Sequence, residues 1–270
     1  MIKEERQNKI LDLLDQNGFL NVSNISEELN VSEMTIRRDL NQLEKENLLI
    51  KVHGGAKKRN YRELSTDEKI NNYVSEKKEI GQIMNSIIPN NSVIYLGAGT
   101  TIFYALSELN KENLFIITNS LIAFDYLTKN TNYKIILTGG EFNHTTEEFI
   151  GNIAEKAFLD LNIDIAFAAT NGILDNNITT SSSLQGGVQN AAFKKAKIKC
   201  IVADHSKLDK SDIYTFCKLS DMDYLITDKN ISDKKDTYYS HYTTVLKEVQ
   251  HDFNRDDESI YWLSLQYKPS

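Results

Sequence analysis

Apolar positions in the first sixty residues recur at helical spacing, and beyond residue 90 they contract into short unbroken runs separated by helical segments. Ile10, Leu13 and Leu14 give a first helix its buried stripe, and Gly18 ends it. Asn21 caps a second helix with Val22, Ile25 and Leu29 on one face, and Asn30-Val31 form a tight turn. Ser32 caps a third, in which Ile36, Leu40 and Leu43 point inward while Thr35, Arg38, Asn41 and Gln42 point away. After Asn47 the alternation Leu48, Ile50, Val52 predicts a strand, with His53-Gly54-Gly55 turning into Lys57-Lys58-Arg59. Two short helices joined by a tight turn, followed by a basic hairpin, predict a winged helix-turn-helix domain over residues 1–58. The helix-turn-helix itself falls at about 20–39. Periodicity alone would suit any three-helix bundle.

Residues 59–75 are polar and without strong period, which predicts a linker. From 76 to 250 the pattern is that of a layered α/β domain. A helix over Glu76–Ile88 is stopped by Pro89, and strands follow at Ser92–Leu96, Leu114–Thr118, Tyr133–Thr138, Ile163–Ala168, Lys199–Ala203 and Tyr224–Thr227. Continuous apolar runs alternating with helices predict a parallel sheet buried on both faces. Ligands of such sheets sit outside the carboxyl ends of the strands, and the distinctive residues cluster there. The first strand runs into Gly97-Ala98-Gly99-Thr100-Thr101 and a helix, so backbone N–H groups and threonine hydroxyls can cradle an anion. The loop has neither the lysine of a Walker loop nor a third glycine, since Ile102 stands there. A tight turn with no ligand would use the same glycines. The neighbouring ends carry Thr118-Asn119-Ser120, Gly139-Gly140-Glu141, Thr170-Asn171-Gly172 and Asp204-His205-Ser206-Lys207. Glu141 and Asp204 can cap a loop N–H or bind a ligand hydroxyl, and Lys207 can pair with a ligand phosphate or with Asp209.

With 270 residues, 40% hydrophobic and 26% charged, the chain is expected to fold around substantial cores. No secretion signal is read at its start and no apolar run is long enough to span a membrane, which points to the cytoplasm. Cys200 and Cys217 lack any CxxC partner and are expected as reduced, structural thiols. A net charge of −7 argues against nucleic-acid binding until its distribution is considered. Acidic and basic residues balance over 1–60, so the excess falls on the body. Between Thr35 and Arg59 seven basic residues face three acidic ones. A locally basic head on an acidic body fits a head that meets phosphate backbone, although a solvated charge run would look alike. The expected DNA contacts are Ser32, Thr35, Arg37, Arg38 and Asn41 on the third helix and Lys51, His53, Lys57 and Lys58 on the wing. His53, His144, His205, His241 and His251 show no metal-ligand spacing, and neither metal nor cofactor is expected.

The run Val31-Ser32-Glu33-Met34-Thr35-Ile36-Arg37-Arg38-Asp39-Leu40, with Leu43-Glu44 and Val52-His53-Gly54-Gly55-Ala56, resembles the signature of the DeoR family of bacterial transcription regulators. The likeness covers about residues 3 to 250 and leaves the tail 251–270 unexplained. Gly139-Gly140-Glu141, His144-Thr145-Thr146-Glu147, Thr179–Ser183 and Phe216-Cys217 resemble the lactose phosphotransferase branch of that family. The resemblance implies a body of the sugar-phosphate isomerase-like type that binds a phosphorylated sugar. Its contacts would come from Gly97, Ala98, Gly99, Thr100, Thr101, Asn119, Gly140, Glu141, Asn171, Asp204 and Lys207. It further implies double-stranded operator DNA as partner, a homo-oligomer of two or four chains, and no membrane. Where family members resemble an acid and a lysine after the fifth strand, this chain reads Leu184-Gln185-Gly186-Gly187-Val188-Gln189-Asn190, placing Gly186 and Asn190 at those positions. An aldose–ketose isomerase needs such groups, so their loss implies binding without catalysis. An isomerase with an accessory DNA-binding head predicts turnover of a phosphosugar, and a pure oligomerisation body predicts no ligand at all.

Overall fold

The computed structural model describes residues 2–46, 48–58 and 63–250. In the head, α1 (Lys3–Asn17) ends on Gly18, whose φ of +73° suits glycine and whose N–H donates to Leu14 O at 2.8 Å. Strand β1 (Phe19–Asn21) runs into α2 (Val22–Glu28), and a turn leads to α3 (Glu33–Lys45). Asn21 Oδ1 accepts from Ser23 N at 3.0 Å and Ser32 Oγ from Thr35 N at 3.3 Å, the two caps expected from sequence. Strands β2 (Leu49–Val52) and β3 (Gly55–Lys58) form the wing, with β1 added beyond β3. The β1 strand was not legible, being three residues long with its partner more than thirty residues further on. One register differs from expectation: Leu49 is buried and Leu48 exposed, so the inward phase of β2 is the opposite of that read from Leu48, Ile50 and Val52. Arg6 clamps α1 to α3 through Asp39, with Nε–Oδ2 at 2.5 Å and Nη2–Oδ1 at 3.2 Å.

The segment 63–75, expected as linker, is structured. Ser65 caps a short helix α4 (Thr66–Ile70) in a reciprocal capping box with Glu68, and α5 (Val74–Ile87) begins before residue 76. Residues 59–62 of that linker, Arg59 of the basic cluster and the tail 251–270 lie outside the described residues. The body then alternates β4 (Val93–Leu96), α6 (Thr100–Ala105), β5 (Phe115–Thr118), α7 (Leu121–Asn130) and β6 (Lys134–Leu137). A hairpin follows, β7 (Glu141–Asn143) with β8 (Glu148–Ile150), and then α8 (Gly151–Lys156) and β9 (Ile163–Ala169). Next come β10 (Gly172–Leu174), β11 (Asn177–Thr180), α9 (Ser183–Phe193), β12 (Ala196–Val202), β13 (Tyr214–Lys218), β14 (Tyr224–Ile226), α10 (Asp233–Tyr239) and β15 (Thr244–Leu246).

Seven strands form one parallel sheet in the order β15-β14-β12-β9-β4-β5-β6. All six strands expected from apolar runs are in it, and β15 is added at the edge. One face packs on α5, α6 and α7 through Ile80, Met84, Ile102 and Leu127. The other packs on α8, α9 and α10 through Phe158, Val188, Phe193 and Tyr239. Burial on both faces is what makes the strands read as unbroken apolar runs. Cys200 on β12 is buried and free, and Cys217 on β13 is free and partly buried. Burial pushes both thiols above the usual thiol range, which suits structural residues.

Candidate functional site

On the head, Ser32, Arg37, Arg38 and Asn41 are exposed on α3 and Thr35 is partly exposed. The structure brings them together on one face because Ile36, Leu40 and Leu43 are fixed in the core. Arg37 Nη2 reaches Glu33 Oε2 at 3.0 Å, an exposed helical pair that yields easily to a stronger partner. The sequence reading left out Met34, which is 62% exposed in the first turn of α3. An apolar side chain there suits a thymine methyl. On the wing, His53 is exposed beside Gly54, whose φ of +79° makes the turn. Lys51 Nζ donates to Asn41 Oδ1, and Lys58 Nζ lies 2.8 Å from Asp15 Oδ1 on α1.

In the body a pocket opens at the carboxyl edge of the sheet, where β12, β9 and β4 end side by side. Ala98, Gly99, Thr100, Thr101, Asn171, Asp204 and Lys207 line it, as expected from the strand ends. Gly99 adopts φ +136°, and a Cβ there would lie 2.8 Å from Ala169 Cβ, so only glycine fits the turn. Four of the expected ligand residues do not line the pocket. Gly97 donates its N–H to Phe167 O at 2.9 Å, supporting the loop from below. Asn119 is fully buried and saturated: Oδ1 accepts from Tyr95 OH at 2.9 Å and Ala98 N at 3.0 Å, and Nδ2 donates to Glu148 Oε2 and Phe149 O, both at 3.1 Å. It shapes the loop and has no group left for a sugar. It also takes the Ala98 N–H, which is therefore not free for an anion. Gly140, at φ +124°, packs against Ile150 O, and Glu141 is exposed on β7. The turn after β6 leads out of the site into the hairpin.

The hairpin returns a different carboxylate. Glu148, 4% exposed, accepts from Thr146 Oγ1 at 2.7 Å and Gln185 Nε2 at 2.9 Å as well as from Asn119. Burial pushes its carboxyl up to about 7, helped by the charge of Glu63 and opposed by those hydrogen bonds. The positions assigned from resemblance to an acid and a lysine are also displaced. Gly186 packs on Phe216, where a Cβ would lie 2.4 Å from Phe216 Cβ, and Asn190 Nδ2 donates to Phe216 O at 2.5 Å. The residues of α9 that face the pocket are Gln185 and Gln189, one position earlier. On a helix that step rotates a side chain by about 100°. Both are neutral amides.

Sequence reasoning missed the cations that α4 and α5 supply. Lys77 is 3% exposed and donates from Nζ to Lys69 O at 2.8 Å, and Lys69 Nζ lies 3.3 Å from Asn171 Oδ1. Both line the pocket with Lys207. Burial, with the charges of Lys207 and Lys69, lowers the Lys77 ammonium to about 8 against the pull of Asp204. Burial likewise lowers Lys207. Lys207 faces the pocket and not Asp209, which pairs with Lys235 at 2.9 Å. Asp204 Oδ1 accepts from Ser206 N at 3.0 Å, but Asp204 Oδ2 and Gln189 Oε1 are buried without a hydrogen-bond partner among the described residues. Unsatisfied buried acceptors beside buried Lys77 and half-buried Lys207 suit a ligand bearing hydroxyls and negative charge.

Glu148 gives the pocket a pH signature. Its folded value lies above the unfolded one, so its stabilisation is full below about pH 4.5 and is lost as pH rises through about 7. The full swing is on the order of 3 kcal/mol. The wild type is therefore expected to melt several degrees lower at pH 8 than at pH 5 relative to Glu148→Gln, read by calorimetry. Parallel profiles for the two proteins would show that Glu148 is ionised in the fold.

These features fit a DNA-binding head joined to a sensor body, and comparison with known proteins identifies the class. Residues 6–61 match the DeoR-like helix-turn-helix domain, and residues 72–229 match the DeoR C terminal sensor domain. The chain belongs to the DeoR family of transcription regulators. It is 35% identical over 246 residues to the lactose phosphotransferase system repressor of Staphylococcus epidermidis, covering 89% of this chain and 98% of that protein. It is 36% identical over 239 residues to the lactose phosphotransferase system repressor of Streptococcus mutans, covering 87% and 95%. Among solved structures, ribose 5-phosphate isomerase from Plasmodium falciparum is a loose likeness, with TM-score 0.38 and 20% identity over 50% of this chain and 53% of that one.

Proposed function

We propose that the protein represses a sugar uptake or catabolism operon and leaves its operator when a phosphorylated sugar enters the body pocket. The observation that carries this reading is the pairing of buried Lys77 and half-buried Lys207 with unpartnered buried acceptors at the carboxyl edge of the sheet. Lys77, Lys207 and Lys69 receive the phosphate with the Gly99–Thr101 loop, and Asp204 and Gln189 accept from sugar hydroxyls. Ser32, Thr35, Arg37, Arg38 and Asn41 read and seat the operator, and wing residues Lys51, His53 and Lys57 add backbone contacts. Lys58 first has to leave Asp15. The names of the relatives favour a sugar of the lactose and galactose tagatose-phosphate route. The protein works in the cytoplasm as a homo-oligomer of two or four chains. Among the described residues no helix is long and apolar enough to cross a membrane. Neutral Gln185 and Gln189 do not favour an isomerase.

Linkage supplies the test, since a ligand shifts the DNA equilibrium only by its differential affinity for the two states. Hexose 6-phosphates and hexose 1,6-bisphosphates are titrated by calorimetry with and without saturating operator selected from a random duplex library. At least one should bind, and bind more weakly with operator present. A ligand whose affinity is the same in both titrations would not be an inducer.

A further inference from the structure

The pocket is already entered by a side chain from the segment that leads to the DNA-binding head. Glu63 lines it, and its Oε1 accepts from Ser181 Oγ at 2.5 Å and from Gln185 Nε2 at 2.8 Å. Glu63 stands two residues before the Ser65 cap of α4, which is pinned to the hairpin by Thr66 N donating to Thr145 O at 3.0 Å. In the other direction the wing strand β3 ends at Lys58, five residues away. Five residues of extended chain reach roughly 17 Å, so whatever holds or frees Glu63 acts close to the head.

The contact is built so that it can be given up. Gln185 Nε2 is shared between Glu63 and Glu148, and Gln185 Oε1 accepts from Thr180 Oγ1 at 3.1 Å and Ser181 Oγ at 2.9 Å. Ser181 has one hydroxyl proton for two acceptors, Glu63 and Gln185. If Glu63 leaves, that proton goes to Gln185 Oε1, and the Gln185 amide keeps Glu148 with one proton and has Thr146 Oγ1, 3.4 Å away, for the other. A carboxylate held by two hydrogen bonds is displaced by a ligand that offers hydroxyls to the same donors and acceptors.

We infer that the Glu63 carboxylate is an internal occupant of the effector pocket, seated on Ser181 and Gln185 when the pocket is empty, and that the sugar displaces it and thereby releases the segment joining body to head. This rests on the reading of the pocket as the effector site. It assigns the coupling between the two domains to one side chain.

The full chain is tested as Glu63→Ala and Glu63→Gln. Glutamine keeps an acceptor for Ser181 and Gln185, and alanine keeps none. Without any ligand, Glu63→Ala should bind operator at least fivefold more weakly than wild type in an anisotropy titration, while Glu63→Gln stays within twofold. In calorimetry with the hexose 6-phosphate that binds the wild type, Glu63→Ala should bind at least fivefold more tightly. Weaker sugar binding by Glu63→Ala would make Glu63 a ligand contact, and unchanged ligand-free operator affinity would remove it from the coupling. Either result overturns the inference. If no hexose phosphate binds the wild type, the proposed effector fails, and the ligand-free operator arm still decides the role of Glu63. Glu63 is half-buried, so both variants are expected to melt with the wild type.

Discussion

Replacing Arg37 and Arg38 together by alanine is expected to lower operator affinity by a factor on the order of 10²–10⁴, to the level of a scrambled duplex. A bidentate arginine–guanine contact is worth ~1–3 kcal/mol of discrimination, and two are removed. The fold should not respond, because both side chains are exposed and the helix is held by Ile36, Leu40, Leu43 and the Arg6–Asp39 pair. The pairing of Arg37 with Glu33 opposes this only slightly, since an exposed helical pair contributes about 0.3–0.5 kcal/mol. Anisotropy titrations against operator and scrambled DNA, with melting curves as control, check it. A double variant that still prefers operator over the scramble by the wild-type ratio would move sequence reading to other residues.

The second large effect is expected in the body. Lys77→Met with Lys207→Met should lower hexose phosphate affinity at least 100-fold and leave a repressor that sugar no longer releases. Charge-assisted hydrogen bonds contribute about 1.5–3 kcal/mol each, and burial makes these two stronger than surface pairs. The same variant should melt no lower than wild type, because desolvation holds both ammonium groups below their ordinary range. Sugar binding by the wild type should also weaken as pH rises through about 8, where Lys77 gives up its proton, and that dependence should vanish in the variant. Calorimetry from pH 6.5 to 9 reads both. Undiminished affinity in the double variant would place the phosphate elsewhere.

Much of this could be read along the chain because it is local. The caps at Asn21 and Ser32, the buried stripe of α3 and the six core strands follow from side chains a few residues apart, and so does the Gly99 turn. Asp204 and Lys207 were legible for a related reason: in a parallel sheet every strand end points to one edge, so a polar cluster after a strand is at the site or next to it. Being next to it is where that rule ran out. Asn119 and Glu141 follow strands as Asp204 does, yet Asn119 is consumed by Tyr95, Ala98, Glu148 and Phe149, and Glu141 leaves on the hairpin. Which of Gln185 and Gly186 faces the pocket depends on how α9 is rotated against Phe216, a contact between residues some thirty positions apart. Lys77, Glu148 and Glu63 reach the pocket from α5, the returning hairpin strand and the segment before α4, none of which follows a strand of the central sheet. Sequence determined the elements and one edge of the sheet, since hydrogen bonding and apolar periodicity act over a few residues. The tertiary structure alone decided the charge balance of the pocket, because burial and Coulomb interaction depend on distance in space and carry no mark of position along the chain.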